Sequence, residues 1–514
     1  PALKSMGNES VGPIFYLTAR GTTRTAAENA LAILRDTEPE LHLRSVTLTA
    51  KDKICLCETR ECTPEACPYA NGYYARIKGA LWDVLDVPCL TAETLQEYAE
   101  RHMVCPFELG LDSSLWSDVI IGDCNYLFDP VVHLVRFFES AGDYIFLVDE
   151  AHNLPGRARE MHSAALTKTS FYEAKKLLGK GKSSLKNALT KVNDVFIEWR
   201  HRAEEETAAR DGRFGKTFFL KERSEEFDHL LNRLCEPLEA WLDDHREPDE
   251  THTALLQLYF DVRAWLRVAD TFDDHFVLQI TASGSEVRAA QLCLDPSAFL
   301  ADSFALGRAA VLFSATLAPA SYYKDLCGVP EARAVALRSP FPAGNQGLFC
   351  IGNVSTRYKD RDASLAIVEE SLATMVRARC GNYLAFFPSY AYMEQAYAQF
   401  KEHCPEINCI KQENAMDEQQ KAAFLAQFVP GPSQPLLGFA VMGGVFGEGV
   451  DLTGDRLIGV GIVGPGLPQV GPRQEQLRDY FEQTRGSGFD YAYRYPGMNK
   501  VLQAAGRVIR TPRD

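Results

Sequence analysis

The sequence predicts an α/β protein whose parallel strands are covered by helices. Two observations carry that prediction. Apolar runs of strand length recur at residues 14–18, 118–123, 144–148, 309–313, 383–387, 437–441 and 457–463. Helix-favouring stretches lie between them, and such alternation implies parallel pairing through crossovers, with strands buried on both faces.

Taken in order, the strand at 14–18 is followed by a polar turn and a helix over about 25–34. A short strand at 44–50 precedes a cysteine-rich stretch, and the runs at 118–123 and 144–148 have the length of buried strands. From about 156 to 295 the texture changes. Charged, amphipathic helical runs dominate (170–178, 192–207, 224–245, 254–269), with one short strand at 276–280, so this is read as an inserted, mostly helical module. Strands resume at 309–313, and a second α/β unit runs from about residue 347 to the end. There is no internal repeat and no low-complexity linker.

The chain has 514 residues, about 3.4 domain-equivalents at roughly 150 each, so several modules are expected. With 46 % apolar and 24 % charged residues, it is neither disordered, collagenous nor membrane-embedded. Sixty-nine acidic against 54 basic residues give a net charge of −15. That argues against binding nucleic acid through bulk charge but leaves room for a locally basic channel. No run approaches the roughly 18 apolar residues of a membrane span, and residues 1–12 lack a signal pattern. Of fourteen cysteines, four (Cys55, Cys57, Cys62, Cys67) fall between positions 55 and 67. In a long chain without a signal they are read as free, metal-bound or cluster-bound.

Four motifs carry chemistry. Asp149-Glu150-Ala151-His152 follows the most apolar strand, where α/β sheets bind ligands. In an NTPase such an Asp holds Mg²⁺ on the phosphates and the Glu polarises the attacking water; the alternative is a helix N-cap. Ser314-Ala315-Thr316 follows another strand, and its hydroxyls suit a carboxylate partner or, equally, a strand-end turn. Gln503, Arg507 and Arg510, at offsets of four and three, are expected on nearly one helix face. Arginines so placed stabilise charge on a γ-phosphate; otherwise they form a solvated basic face or a structural ion pair. The segment from Gly443 to Asp451 carries Gly443, Gly444, Gly447 and Gly449, which let the backbone approach a ligand, while Asp451 suits an arginine or a ribose.

In this order the motifs resemble the two-RecA-domain engine of superfamily 2 helicases, and within it the XPD/DinG family of iron–sulfur DNA helicases. Phe387-Pro388-Ser389-Tyr390 is similar to that family's motif IV and Tyr16-Leu17-Thr18-Ala19-Arg20 to its motif Ia. The layout is similar too, with a cysteine module before the acidic box and a helical insertion after it. The resemblance implies two RecA-like parallel-sheet motor domains with an iron–sulfur insertion and a mostly helical arch-type insertion. Motor domain 1 would comprise 1–50, 111–155 and 296–343, the cluster domain 51–110, the arch 156–295 and motor domain 2 344–514. It further implies a monomeric ATP-dependent helicase of repair or replication. Such an enzyme moves 5′ to 3′ on single-stranded and forked DNA, without a membrane, in a bacterial-type, nucleoid-associated cytoplasmic setting. Asp149 and Glu150 would serve Mg²⁺ and water, and Arg507 and Arg510 would act as arginine fingers. His152 and Gln503 would sense ATP, Ser314 and Thr316 would transmit its state, and Gly449 and Asp451 would belong to the nucleotide site. Thr18, Arg20, Ser389 and Gly447 would hold the DNA backbone.

Cys55, Cys62, Cys67 and Cys105 have 6, 4 and 37 residues between successive members. Four thiolates suit Zn²⁺ or a [4Fe–4S] cluster, and none of these spacings is the close pair usual for zinc. The resemblance favours [4Fe–4S]. Cys57 is a fifth candidate, but Cys55 better resembles the family's first ligand, which follows basic residues, here Lys51 and Lys53.

A helicase of this kind also needs a P-loop, Gly-x-x-x-x-Gly-Lys-Ser/Thr. None of the thirteen residues before Ile14 forms it, and Gly215-Lys216-Thr217 is a decoy, with Arg210 five positions earlier and no strand expected before it. The motif is expected upstream of Pro1, and a further strand beyond Asp514. Related bacterial chains often carry an additional nuclease-like N-terminal domain. A polypeptide of these residues alone is expected to hydrolyse ATP poorly. Two other readings stand: an ATPase-deficient single-stranded nucleic-acid scaffold, and a zinc-containing ATPase that remodels protein.

Overall fold

The computed structural model describes residues 3, 6, 11–19, 21–38, 40–179, 183–209, 215–247, 249–447 and 452–511. The chain divides into two compact units: Pro1–Ser314 with Tyr323–Glu331, and Ala315–Tyr322 with Ala332–Asp514.

In unit 1 the strands β1 (Ile14–Thr18), β2 (Ser45–Thr47), β3 (Cys89–Leu90), β4 (Val119–Asp123) and β5 (Ile145–Asp149) come first. The insertion that follows adds β6 (Ala164–Thr167), β7 (Lys216–Leu220), β8 (Phe276–Ser283) and β9 (Glu286–Cys293), after which β10 (Ala309–Phe313) returns to the main sheet. That sheet has six parallel strands in the order β10-β5-β1-β4-β2-β3. Its central strands are buried on both faces, as the unbroken apolar runs require: Phe15, Ile121 and Phe146 have no exposed surface. Phe15 packs its ring against Phe137, Phe138, Tyr144 and Phe146. β10 departs from this pattern. Val311 is 50 % exposed, and among the described residues no strand pairs with the far edge of β10.

Between β2 and β4 lie four helices, Lys51–Ile54, Tyr73–Val84, Ala92–His102 and Pro106–Ser113. The same segment contributes β3, which pairs with β2, so the cysteine-rich stretch is stitched into the main sheet.

The insertion contains the expected long helices, Ser184–Ala209, Glu225–Asp244 and Glu250–Asp270. It also holds a four-stranded antiparallel sheet, order β6-β9-β8-β7, of which the sequence signalled only residues 276–280. The Ala-rich β9 has weak strand propensity, and its partner β8 supplies the pairing through a two-residue turn in which Gly284 has φ +61°. Phe196, Phe227, Leu231 and Trp265 fill the core of this module. The decoy Gly215-Lys216-Thr217 leads straight into β7, not into a helix, so it cannot cradle a phosphate as a P-loop does.

Unit 2 is built on β11 (Asn382–Phe387), β12 (Asn408–Lys411), β13 (Leu436–Val441) and β14 (Gly459–Ile462), a parallel sheet in the order β12-β13-β11-β14. β11 and β13 are buried throughout. Among the described residues no helix is long and apolar enough to cross a membrane.

Candidate functional site

Parallel pairing aligns the carboxyl ends of the unit 1 strands. Thr18 stands opposite Asp123, and Phe313 opposite Asp149, so Thr18, Asp123, Asp149 and the succeeding Ser314 share one edge of the sheet. This is where open α/β sheets hold ligands.

Asp149 is held by two donors. Its Oδ2 accepts the Tyr16 hydroxyl at 2.8 Å, and its Oδ1 accepts the Glu150 amide at 2.7 Å. Burial raises the Asp149 carboxyl above the usual range although both hydrogen bonds oppose the shift. Tyr16, half-buried and donating to that carboxylate, is likewise pushed up. Glu150 follows at φ +49°, a left-handed conformation that is unfavourable for a residue with a side chain. A 3₁₀ turn, Ala151–Asn153, then leads to the helix Leu154–Met161. Asp149 therefore caps no helix.

The strained turn has a chemical consequence. Glu150 Oε2 accepts the Ser314 hydroxyl at 3.1 Å, and His152 Nδ1 lies 2.7 Å from Ser314 Oγ and 3.3 Å from Glu150 Oε2. A hydroxyl has one proton. If Ser314 donates to Glu150 it must accept from His152, which fixes the imidazole as the Nδ1–H donor. Only 3 % of the His152 side chain is exposed. Glu150, His152 and Ser314, separated by up to 164 positions, thus form one network. Thr316 is buried, in the segment that groups with unit 2.

Beside them, Thr18 is wholly buried and its hydroxyl meets that of Thr23. Sequence reasoning missed the neighbouring ionic node. Asp123 accepts from Arg157 at 3.0 Å and from the Asn125 amide at 3.0 Å, while Arg24 approaches its other oxygen at 3.5 Å. Arg157 also donates to the Asn125 side chain at 2.8 Å and to the Ala19 carbonyl at 3.1 Å. No sequence signal joins residues so far apart.

In unit 2 the turn after β13 is made by glycines. Gly443 has φ +71°, and a Cβ on Gly447 would sit 3.0 Å from the Gly443 nitrogen. Arg507, 9 % exposed, donates to the Gly447 carbonyl at 2.8 Å. Gln412, also unsignalled in the sequence, braces the end of β13, accepting the Val441 amide at 3.0 Å and donating to the Tyr390 hydroxyl at 2.6 Å. Ser389 caps the helix Tyr390–His403, accepting from the Tyr392 amide at 3.4 Å and from Arg361 at 3.2 Å. Arg20, Gly449 and Asp451 lie outside the described residues.

The expected single helix face for Gln503, Arg507 and Arg510 is corrected. The helix Tyr495–Ala505 carries only Gln503; Arg507 lies in a 3₁₀ turn, Gly506–Val508, and Arg510 beyond it. Gly506 ends the helix, and Thr511, preceding Pro512, disfavours helical backbone.

The cysteine side chains occupy two neighbourhoods. Cys57 Sγ lies 3.8 Å from Cys67 Sγ, and burial, with Cys67 and Cys55 nearby, pushes the Cys57 thiol up to about 11. Cys62, exposed, and Cys105, half-buried, lie within electrostatic reach of Lys51, whose ammonium pairs with Glu108 at 3.2 Å. Among the described residues no three His, Cys, Asp or Glu side chains are gathered closely enough to hold a metal ion.

Comparison with known proteins defines the class first. The DEAD_2 family model matches residues 37–171 and the helicase C-terminal domain model residues 372–514. An XPD helicase structure superposes with a TM-score of 0.59 at 16 % identity, covering 99 % of this chain and 87 % of that one. The structure of S. tokodaii Xpd4 gives 0.54 at 14 % identity, covering 100 % and 91 %. The likeness shows the fold: two RecA-like parallel-sheet domains with helical insertions. Among curated proteins, the chain is 23 % identical to ATP-dependent DNA helicase CHL1 of Coccidioides immitis (strain RS), over 73 % of its own length and 51 % of the relative's. It is 24 % identical to the XPD helicase subunit of transcription and DNA repair factor IIH of Schizosaccharomyces pombe, over 82 % of its length and 64 % of that protein's. Together these matches support an XPD/DinG-like superfamily 2 helicase.

Proposed function

We propose that this chain forms the motor of an ATP-dependent DNA helicase. It translocates 5′ to 3′ on single strands and unwinds duplexes in repair or replication. It acts as a monomer on forked DNA in a bacterial-type, nucleoid-associated cytoplasm. The observation that carries the reading is the Glu150–Ser314–His152 network beside Asp149 at the carboxyl edge of the six-stranded sheet. Motor domain 1 comprises 1–50, 111–155 and 296–343, the cluster domain 51–110, the arch 156–295 and motor domain 2 344–514.

Mg²⁺, when bound, would neutralise phosphate charge, and the Asp149 carboxylate, oriented by Tyr16 and the Glu150 amide, would hold it. Glu150 accepts a proton from the attacking water while Ser314 and His152 fix its carboxylate. Arg507 and Arg510 supply cationic charge to the γ-phosphate, and Gln503, Thr316, Gly449 and Asp451 complete nucleotide recognition. Thr18, whose hydroxyl is turned inward, and Arg20, Ser389 and Gly447 engage backbone phosphates through the turns that contain them.

Cys55, Cys62, Cys67 and Cys105 would hold a [4Fe–4S] group, which when bound would cross-link the module. An all-sulfur donor set suits an iron–sulfur group or zinc and not a hard cation.

The test is strand displacement by the purified protein on tailed duplexes. Separation of 5′-tailed duplexes with ATP supports the reading. Separation of 3′-tailed duplexes alone reverses the direction, and failure on both, with no single-strand binding, contradicts it.

A further inference from the structure

We propose that Arg361 and Tyr358, together with Ser389, hold one nucleotide of a single strand: its phosphate on Arg361 and Ser389, its base on Tyr358. The proposal deepens the strand-translocating reading above and rests on it. Ser389 stands just past β11, at the carboxyl edge of the unit 2 sheet. Thr356 packs so closely on Gly464, just past β14, that a Cβ there would collide with it. The segment leading into Arg361 therefore lies at the same edge.

The Arg361 guanidinium is half-buried and held from four sides. Its Nε donates to the Thr356 carbonyl at 3.4 Å and its Nη1 to Ser389 Oγ at 3.2 Å. The rings of Tyr358 and Tyr392 lie 5.4 and 5.1 Å from its Cζ. None of the four is anionic. Among the described residues Arg361 pairs with no carboxylate, and the adjacent Asp360 accepts the Ser355 hydroxyl at 2.6 Å instead. A fixed, partly desolvated guanidinium without a counter-ion is a receptor for an anion such as phosphate. Ser389 supplies the complementary proton. Its Oγ already accepts from the Tyr392 amide at 3.4 Å and from Arg361, so both lone pairs are engaged. The hydroxyl hydrogen is left for an acceptor from outside the chain, and a phosphate oxygen is one. Tyr358 is 86 % exposed beside the bound cation, an open aromatic face of the kind on which bases stack. Arg357 and Lys359, also exposed, bring this segment to three cations within five residues. A chain of net charge −15 is thus locally basic where the strand would lie.

The experiment measures fluorescence anisotropy of the full chain on labelled oligo(dT) and on an abasic strand of equal length, each over a range of salt. Arg361→Ala should weaken binding to both strands about tenfold and flatten the slope of log affinity against log salt by about 0.7, one phosphate contact. Arg361→Lys keeps the charge but not the fork, so it should keep the slope and recover part of the affinity. Tyr358→Ala should weaken binding to oligo(dT) about tenfold and to the abasic strand by less than about twofold, because only stacking is lost. Tyr358 is exposed enough that this variant folds, so it serves if Arg361→Ala does not. Weaker binding by Arg361→Ala at an unchanged slope overturns the phosphate contact in favour of plain stabilisation. Equal losses on both strands in Tyr358→Ala overturn the base contact. Unchanged affinity in both variants overturns the proposal alone. A wild-type chain that binds no oligo(dT) overturns the strand-binding reading and the proposal with it.

Discussion

The carboxyl ends of the two parallel sheets differ in what they present. In unit 1 that edge is dense with ionisable side chains, Asp149, Glu150, His152 and Asp123, each held by a named partner. In unit 2 the turn after β13 presents glycines and a main-chain carbonyl, braced from behind by Gln412 and Arg507. The same architecture therefore supports two kinds of site. Where protons and metal charge must be managed, side chains are fixed by hydrogen bonds in a partly buried edge. In unit 2 the glycines leave the backbone open at their own positions, and the loop is kept in shape from within.

That contrast can be broken in several ways. The largest effect is expected at the unit 1 edge. Glu150→Gln should lower single-strand-stimulated ATP turnover about 100-fold with single-strand affinity retained, because only the proton acceptor is lost. Turnover within a fewfold of wild type would place the chemistry elsewhere. In the cysteine module, the proposed [4Fe–4S] ligation predicts broad visible absorbance that Cys105→Ser abolishes; undiminished colour would exclude Cys105 as a ligand.

In unit 2 the expected change is structural. Arg507→Ala removes a buried charge-assisted hydrogen bond and should cost about 2 kcal/mol in denaturant unfolding. Arg510→Ala, at an exposed position, should stay within about 0.5 kcal/mol. Equal costs would mean that Arg507 does not brace the glycine turn.

The smallest effect is a pH dependence. Burial raises the Asp149 carboxyl, so its neutral form is favoured in the folded state. The stability this brings is fully present below about 3.9, the ordinary aspartate value, and is lost as pH rises through the elevated one. Asp149→Asn keeps an acceptor for Tyr16 and removes the ionisation. It should match wild type in acid and exceed it at neutral pH, by less than about 1 kcal/mol given partial exposure. A constant difference across pH would show that Asp149 titrates normally.

How far the sequence disclosed all this depends on the range of the interaction. The strands at 14–18 and 309–313 were legible to the residue, because apolar runs bounded by turn residues leave little freedom of register. The acidic box and Ser314 were legible as motifs, but their joining through His152 needed β10 to lie beside β5. The antiparallel sheet of the insertion was hidden because β6 and β9 contain alanines of weak strand propensity, and β6 and β7 pair with strands distant in sequence. The arginine face failed for a local reason, since periodicity carried the helix past Gly506 and ignored the residue before a proline. Arg157 was invisible because its acceptors stand 138, 34 and 32 positions away.

The most direct test of the central claim is the equilibrium affinity of this chain for oligo(dT) as salt is raised. A single-strand motor predicts binding that falls linearly in a plot of log affinity against log salt, as phosphate contacts release counterions, with weaker binding to blunt duplex. No measurable single-strand binding, or an affinity indifferent to salt, would contradict it.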